Sequence, residues 1–392
     1  MDLNAIQQAI REEGLDGWLF FDHHQRDPLA YRILKLKPGS IVSRRWYYFI
    51  PANGEPKGLA HAIEAHSIDG LPGERKTYSS WTDQVDSVRS MVAGCRRVAM
   101  QYSPDCMIPY VSLVDGGTID LVRGFGVEVA SSANLIQYFE TRWTEDQLAS
   151  HLEAGKLVDL IRRQAFERIG EKLRMRERIT EWEVQQFILQ RFSEEGLYTD
   201  HGPSVSVNAN SSNPHYEPGP ENCSAIQPGD SVLIDLWAKF NRENSVYYDI
   251  TWVGYCGRPP SAFVNVFDIV REARDRAIGR VQKSVSEGAE LRGFEVDDAA
   301  RSYIREQGFG EYFFHRTGHS IGEDVHGTGA NMDNYETHDE RLLIPGTCFS
   351  IEPGIYLDEF GVRSEVDVYV EERGARVTGE AQSEIVPILA AP

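Results

Sequence analysis

The sequence predicts a mixed chain of the α/β (α+β) class built as two domains, and three observations carry that reading. Its 392 residues exceed an ordinary single domain. Short apolar strands alternate with helical stretches up to about residue 140. Past residue 143 the texture changes to two capped helices, and then to strands that each carry a carboxylate.

The elements follow in order. MDLNAIQQAIREEG is a polar helical pattern that lacks the basic and apolar regions of a signal peptide. Residues 16–52 read as short strands and turns: GWLFF, the polar DHHQRDP, then RRWYYFIPANG, ending on Pro51 and the turn signal Asn53-Gly54. RRVAM at 96–100 is a further short strand. Thr144 and Gln147 make a capping box, each side chain serving the other's backbone N–H at a helix start. The helix it opens carries Leu148, Leu152, Leu157, Leu160, Ile161 and Ile169 on one broad face. A second box, Thr180 to Glu183, starts another helix. The domains are therefore residues 1–143 and 144–392. From 200 onward strands and glycine-rich turns dominate, with one helical segment around 262–306. SVLIDLW, VYYDITWVGY, TCFSIEPGIYL and SEVDVYV read as strands by their β-branched and aromatic content.

Composition excludes several classes. A formal charge of −20 with no long basic face repels phosphate backbones, so neither nucleic acid nor an anionic membrane is expected as a partner. No run approaches the roughly 18 apolar residues of a membrane span, and the expected location is cytoplasmic. Five scattered cysteines, Cys95, Cys106, Cys223, Cys256 and Cys348, indicate neither a disulfide framework nor a CxxC metal site.

The strand carboxylates are the unusual feature, because desolvating an isolated ionised group is unfavourable unless it is paired or metal-bound. Asp235, between Val232-Leu233-Ile234 and Leu236-Trp237, is expected in surroundings buried on both faces. Period two sets Asp249 with Tyr247 and Thr251, opposite Tyr248, Ile250 and Trp252. It likewise sets Glu365, Asp367 and Tyr369 opposite Val366, Val368 and Val370. Oxygen ligands with one imidazole suit Mn²⁺ or another divalent ion, and more than three carboxylates point to two ions sharing oxygens. Such a pair, roughly 3.5–4 Å apart, lowers the pKa of water from 15.7 toward about 7, which is hydrolytic chemistry. The imidazoles come from RTGHSIGEDVHGTG, where His319 and His326 stand among glycines that make a helix implausible. A bent or bulged segment there sends the two rings to different tasks.

In this order and context Asp235, Asp249, His319 in GHSIG, Glu352 in SIEPGIY and Glu365 in GVRSE resemble the five-ligand dinuclear site of the pita-bread metallopeptidases. The N-terminal domain makes the chain similar to the aminopeptidase P and prolidase branch, so the resemblance implies a creatinase-like α/β domain at 1–143 and a pita-bread catalytic domain at 144–392. It implies Asp235 on one metal, Asp249 and Glu365 bridging, and His319 and Glu352 on the second. Glu352 would also move a proton from water to the leaving nitrogen. His326 would stabilise the tetrahedral intermediate, His215 in SSNPHYEPG and His315 would lie near substrate, and Arg363 would pair with the acids. The implied activity is hydrolysis of Xaa-Pro bonds by a homodimer with two divalent ions, Mn²⁺ first, Co²⁺ or Zn²⁺ otherwise. A peptide with proline at its second position is the implied substrate. Alternatives are an aminopeptidase P acting on longer peptides, a metal-free creatinase-like amidinohydrolase, and a binding domain without the ligand set.

Departures bear on specificity. Asp235 and Asp249 stand fourteen residues apart, a wider spacing than relatives use, so the hairpin WAKFNRENSVYY is longer. Val246 stands where prolidases carry a tyrosine, and His338, with Arg341 nearby, where some carry an arginine that reads the dipeptide carboxylate.

Overall fold

A computed structural model describes residues 1–37 and 41–389. The chain divides into two compact units, Met1–Thr141 and Arg142–Pro392.

The first unit contains helices α1 (Leu3–Glu12), α2 (Pro28–Leu34), α3 (Trp81–Met91), α4 (Gly116–Arg123) and α5 (Ala133–Ile136). Its strands are β1 (Gly17–Asp22), β2 (Trp46–Pro51), β3 (Lys57–His61), β4 (Glu74–Tyr78), β5 (Arg97–Met100) and β6 (Glu128–Ser131), in sheet order β4-β3-β2-β1-β5-β6. Alternation along the central strands explains the layering. Trp18 and Phe20 pack with α1, α2 and α5 on one face, whereas Leu19 and Phe21 pack with α3 and α4 on the other. α2 interrupts the stretch read as strands and turns: Asp27 caps it by accepting from the Ala30 amide, and Pro28 presets its first turn.

The second unit opens with α6 (Glu145–Arg174) and α7 (Glu181–Glu194), each with its expected capping box formed. Leu160 of the expected apolar face is exposed at 37 %, whereas Ile161 and Ile169 of that face are buried together with Ala154, Val158 and Ala165. Strands β7 (Leu197–Tyr198), β8 (Ser204–Val207), β9 (Ser231–Phe240) and β10 (Tyr248–Cys256) follow. The single helix expected around 262–306 is two, α8 (Ser261–Glu287) and α9 (Gly293–Glu306), because Gly288 ends the first in a left-handed conformation at φ 66°. Then come β11 (Ser320–Ile321), β12 (Cys348–Ile351), β13 (Gly354–Tyr356), β14 (Gly361–Arg363), β15 (Val366–Glu371), β16 (Gly374–Val377) and β17 (Val386–Leu389). TCFSIEPGIYL is thus two strands broken at Glu352-Pro353, since proline gives no ladder donor.

Two sheets form the core of this unit. In one, Ile234, Leu236, Tyr248 and Ile250 of β9 and β10 pack against α6 and α7. In the other, Phe349, Ile351, Val366, Val368 and Val370 of β12 and β15 pack against α8 and α9. Each sheet therefore keeps one apolar face for its helices and turns its acidic face inward. They join where the Asp249 amide donates to Asp367 Oδ2 at 2.9 Å and the Glu365 amide to the Thr251 carbonyl at 3.1 Å.

Candidate active site

Register explains why residues far apart in sequence share one face. In the β9–β10 pair Asp235 stands opposite Thr251, and Asp249 is two residues from Thr251, so all three side chains leave the same side. In the second sheet Ser350 stands opposite Asp367, two residues from Glu352 and Glu365 respectively. The Ser350 amide donates to the His319 carbonyl at 2.8 Å and the His319 amide to Ser350 Oγ at 3.0 Å, which fixes the histidine beside β12.

Among the described residues, one group of metal-ligating type has its atoms within 4.8 Å of one another: Asp249, His319 and Glu365, all buried. His319 Nε2 lies 3.7 Å from Asp249 Oδ2 and 3.4 Å from Glu352 Oε1, which adds the fourth expected ligand. Asp235 is set slightly apart. Its Oδ2 is paired with Arg363 Nη2 at 2.5 Å, and Thr251 Oγ1 stands between Asp235 Oδ1 at 3.0 Å and Glu365 Oε2 at 2.7 Å. Asp235 keeps a side chain 14 % exposed, whereas Asp249, His319 and Glu365 are buried.

The electrostatics follow from burial. Desolvation pushes the Asp249 carboxyl well above the usual range, and the charges of Asp235, Asp367 and Glu352 add to it. Glu365 is raised for the same reasons, with Asp249 the largest of its neighbours. Burial lifts Glu352 to about 7, opposed by the Arg363 charge. His319 is driven well below the usual imidazole range, chiefly by burial. Neutral imidazole and crowded carboxylates, with Asp249 Oδ1 buried and lacking a hydrogen-bond partner, fit a divalent cation, which would relieve the repulsion and use the orphaned oxygen.

The substrate-side candidates are placed as follows. The His326 ring meets His319 edge to face with centroids 4.4 Å apart, while much of the residue is open to solvent. Partial burial lowers its pKa, helped by the Arg316 and His215 charges and opposed by those of Asp200 and Asp235. His215 is exposed, its amide bound to Asn213 Oδ1 at 3.1 Å. His315 has both ring nitrogens engaged: Nδ1 is 2.7 Å from the Arg316 carbonyl, so that nitrogen is the donor, and Nε2 accepts from Tyr356 O–H at 2.7 Å. Burial lowers His315 to about 3, so the ring is neutral. Arg363 completes the chain, donating to Tyr356 Oη at 3.0 Å, Thr251 Oγ1 at 3.0 Å and Asp235.

Arg341 is buried and spent on Asp339, Nη2 to Oδ2 at 2.6 Å, and His338 pairs with Asn334 and Glu340. Period two already sets Thr251 beside Asp249 and Asp367 beside Glu365, whereas nothing local marks Tyr356 as a partner of Arg363. Asp367 is fully buried with Nε2 of His151 at 3.9 Å. His151 itself is held by the Tyr247 carbonyl at 2.6 Å and Thr378 Oγ1 at 2.7 Å, and burial lowers it to about 4. The acidic period-two pattern of SEVDVYV was the one available signal for Asp367.

Two helix-backed sheets that close a carboxylate-rich, single-imidazole centre between them define a metal-dependent hydrolase of pita-bread fold. Residues 149–372 match the model of metallopeptidase family M24, and the chain belongs to that family. It is 30 % identical over 374 residues to an Xaa-Pro dipeptidase of Lactobacillus delbrueckii subsp. lactis, covering 93 % of each chain. An Xaa-Pro dipeptidase of Pyrococcus furiosus is 35 % identical over 162 residues, a match of 41 % of this chain and 43 % of that protein. Among solved structures, dipeptidase PepE from Mycobacterium ulcerans superposes with a TM-score of 0.70 at 22 % identity, over 98 % of this chain and 96 % of that one. A prolidase from Thermococcus sibiricus gives 0.63 at 24 %, over 98 % of both. No helix among the described residues is long and apolar enough to cross a membrane.

Proposed function

We propose that this enzyme hydrolyses the Xaa-Pro bond of dipeptides, using two divalent ions, Mn²⁺ first among them, held by Asp235, Asp249, His319, Glu352 and Glu365. The carrying observation is the buried triad Asp249, His319 and Glu365, with Glu352 3.4 Å from the imidazole. The proline preference draws support from the Xaa-Pro dipeptidase aligned over 93 % of this chain. A cytoplasmic homodimer is part of the same reading.

When bound, the ions supply an acidified water, its pKa lowered from 15.7 toward about 7. The protein's own groups do the rest. Glu352, 3.4 Å from the His319 imidazole, is the base that takes the proton of the attacking water. It returns that proton to the prolyl nitrogen, which carries no N–H in the peptide and must gain one to leave as an amine. His326 donates to the oxygen that becomes negative as the carbonyl turns tetrahedral. Arg363 holds Asp235 in place, and His315 orients Tyr356, whose phenol the arginine also holds. His215 lies on the substrate side, within the electrostatic reach of His326.

Hydrolysis of Ala-Pro, of Gly-Pro-containing tripeptides and of creatine should be compared side by side with Mn²⁺, Co²⁺ or Zn²⁺ added. Cleavage of Ala-Pro is the expected result. Cleavage of tripeptides alone would make the enzyme an aminopeptidase P, and turnover of creatine without metal would overturn the reading.

A further inference from the structure

Trp237 stands among the acidic ligands on the strand face that forms the site. It is two residues from Asp235 on β9 and directly opposite Asp249 on β10. Because the Asp249 amide donates to Asp367 and not to β9, Trp237 and Asp249 are a non-hydrogen-bonded pair, the closer of the two antiparallel types, with Cβ atoms about 4.5–5.5 Å apart. The indole is half-buried. It packs on the cluster of Val246, Tyr247, Ile321 and Val325, and its Nε1 donates to Asp200 Oδ1 at 2.7 Å.

That packing sets which side of the substrate the ring borders. Val325, in the same cluster, immediately precedes His326 in the chain. On the proposed mechanism His326 serves the carbonyl of the residue before the scissile bond, whereas Glu352, on the opposite sheet, serves the prolyl nitrogen. The indole therefore lies on the side of the first residue.

We propose that Trp237 is a specificity-determining residue, the apolar wall against which the side chain of the first substrate residue packs, so that leucine or phenylalanine is preferred there over glycine. This rests on the proposed function for the identity of the second residue and for the roles of His326 and Glu352. Asp200 is the positioning residue that holds the wall in place.

The test measures kcat/KM for Leu-Pro, Gly-Pro, Leu-Ala and Gly-Ala with the metal-loaded wild type and with Trp237→Ala, Trp237→Phe and Asp200→Ala. A leucine side chain packed on one indole face gives a Leu-to-Gly preference of about tenfold. Trp237→Ala should abolish most of that preference, Trp237→Phe should keep part of it, and Asp200→Ala, which removes the acceptor of the indole N–H, should fall between, all with metal content retained. An unchanged ratio in Trp237→Ala overturns the proposal. So does a ratio that rises, which would make the indole a gate against large residues. If only Xaa-Ala peptides are cut, the proline reading fails while the wall is still tested. If no dipeptide is cut, calorimetric binding of leucinamide against glycinamide by the same variants supplies the ratio.

Discussion

Arg363 and Asp235 form an ion pair of 2.5 Å with side chains only 4 % and 14 % exposed, and the same guanidinium also reaches Tyr356 and Thr251. A planar fork meets all three partners at once, which a lysine ammonium cannot do. Arg363→Ala leaves a carboxylate among carboxylates with its cation gone, and removing one partner of a buried pair is typically destabilising by roughly 3–5 kcal/mol. Denaturant titration should show a loss of that order, and Arg363→Lys should recover only part. A loss below about 1 kcal/mol, the range of surface pairs, would mean water already screens the pair.

Asp249→Asn and Glu365→Gln each remove a charge from the centre of the cluster while preserving shape. Both should lower bound metal, read by elemental analysis after dialysis, and abolish peptide hydrolysis. Retention of both properties in either variant would refute the dinuclear assignment.

His326→Ala should behave differently. The ring touches His319 but belongs to none of the carboxylate contacts, so metal content should hold while kcat falls roughly 10²-fold, the effect of losing one oxyanion donor. Loss of metal instead would make the residue a ligand.

Chelation offers a test on the intact protein. The repulsion that raises Asp249 and Glu365 persists without cations, so the melting temperature should rise on adding Mn²⁺. A ligand at about 100 times its Kd stabilises by about 2.7 kcal/mol. The same rise in Asp249→Asn would place the binding elsewhere.

In the first unit, burial raises Asp27 from 3.8 to about 7. Its folded state keeps the proton to higher pH than the unfolded chain does. The stabilising contribution is therefore complete below about pH 4 and is lost as pH rises to about 7, on the order of a few kcal/mol. Asp27→Asn keeps the cap oxygen toward the Ala30 amide yet cannot ionise. Relative to the wild type it should gain stability at pH 8 over pH 5; a difference that does not change with pH would refute the assignment.

Much of this was legible because the signals were local. Capping boxes at Thr144 and Thr180 depend on four consecutive residues, and the acid-bearing strands advertised themselves by a composition that isolated burial would forbid. The errors arose where locality ends. Asp27-Pro28 is a helix start that was read as part of a turn, and Gly288 splits a continuous apolar period by adopting φ 66°. Apolar neighbours alone do not separate a fully buried strand acid from one left 14 % exposed, as Asp235 is. Thr251, Tyr356 and Asp367 acquire their roles from cross-strand register and loop closure, over separations of up to 118 residues between hydrogen-bonded partners.

The glycines around His319 are not equivalent. A Cβ on Gly318 would lie 1.9 Å from the Ser350 carbonyl oxygen, while one on Gly322 would meet nothing nearer than 3.9 Å. In a saturation library selected for hydrolysis, position 318 should therefore return glycine alone, whereas position 322 should accept alanine and serine. Two glycines four residues apart in the same motif thus carry very different amounts of information. Gly318 records a close approach of two backbones in the catalytic unit, and Gly322 is open to drift.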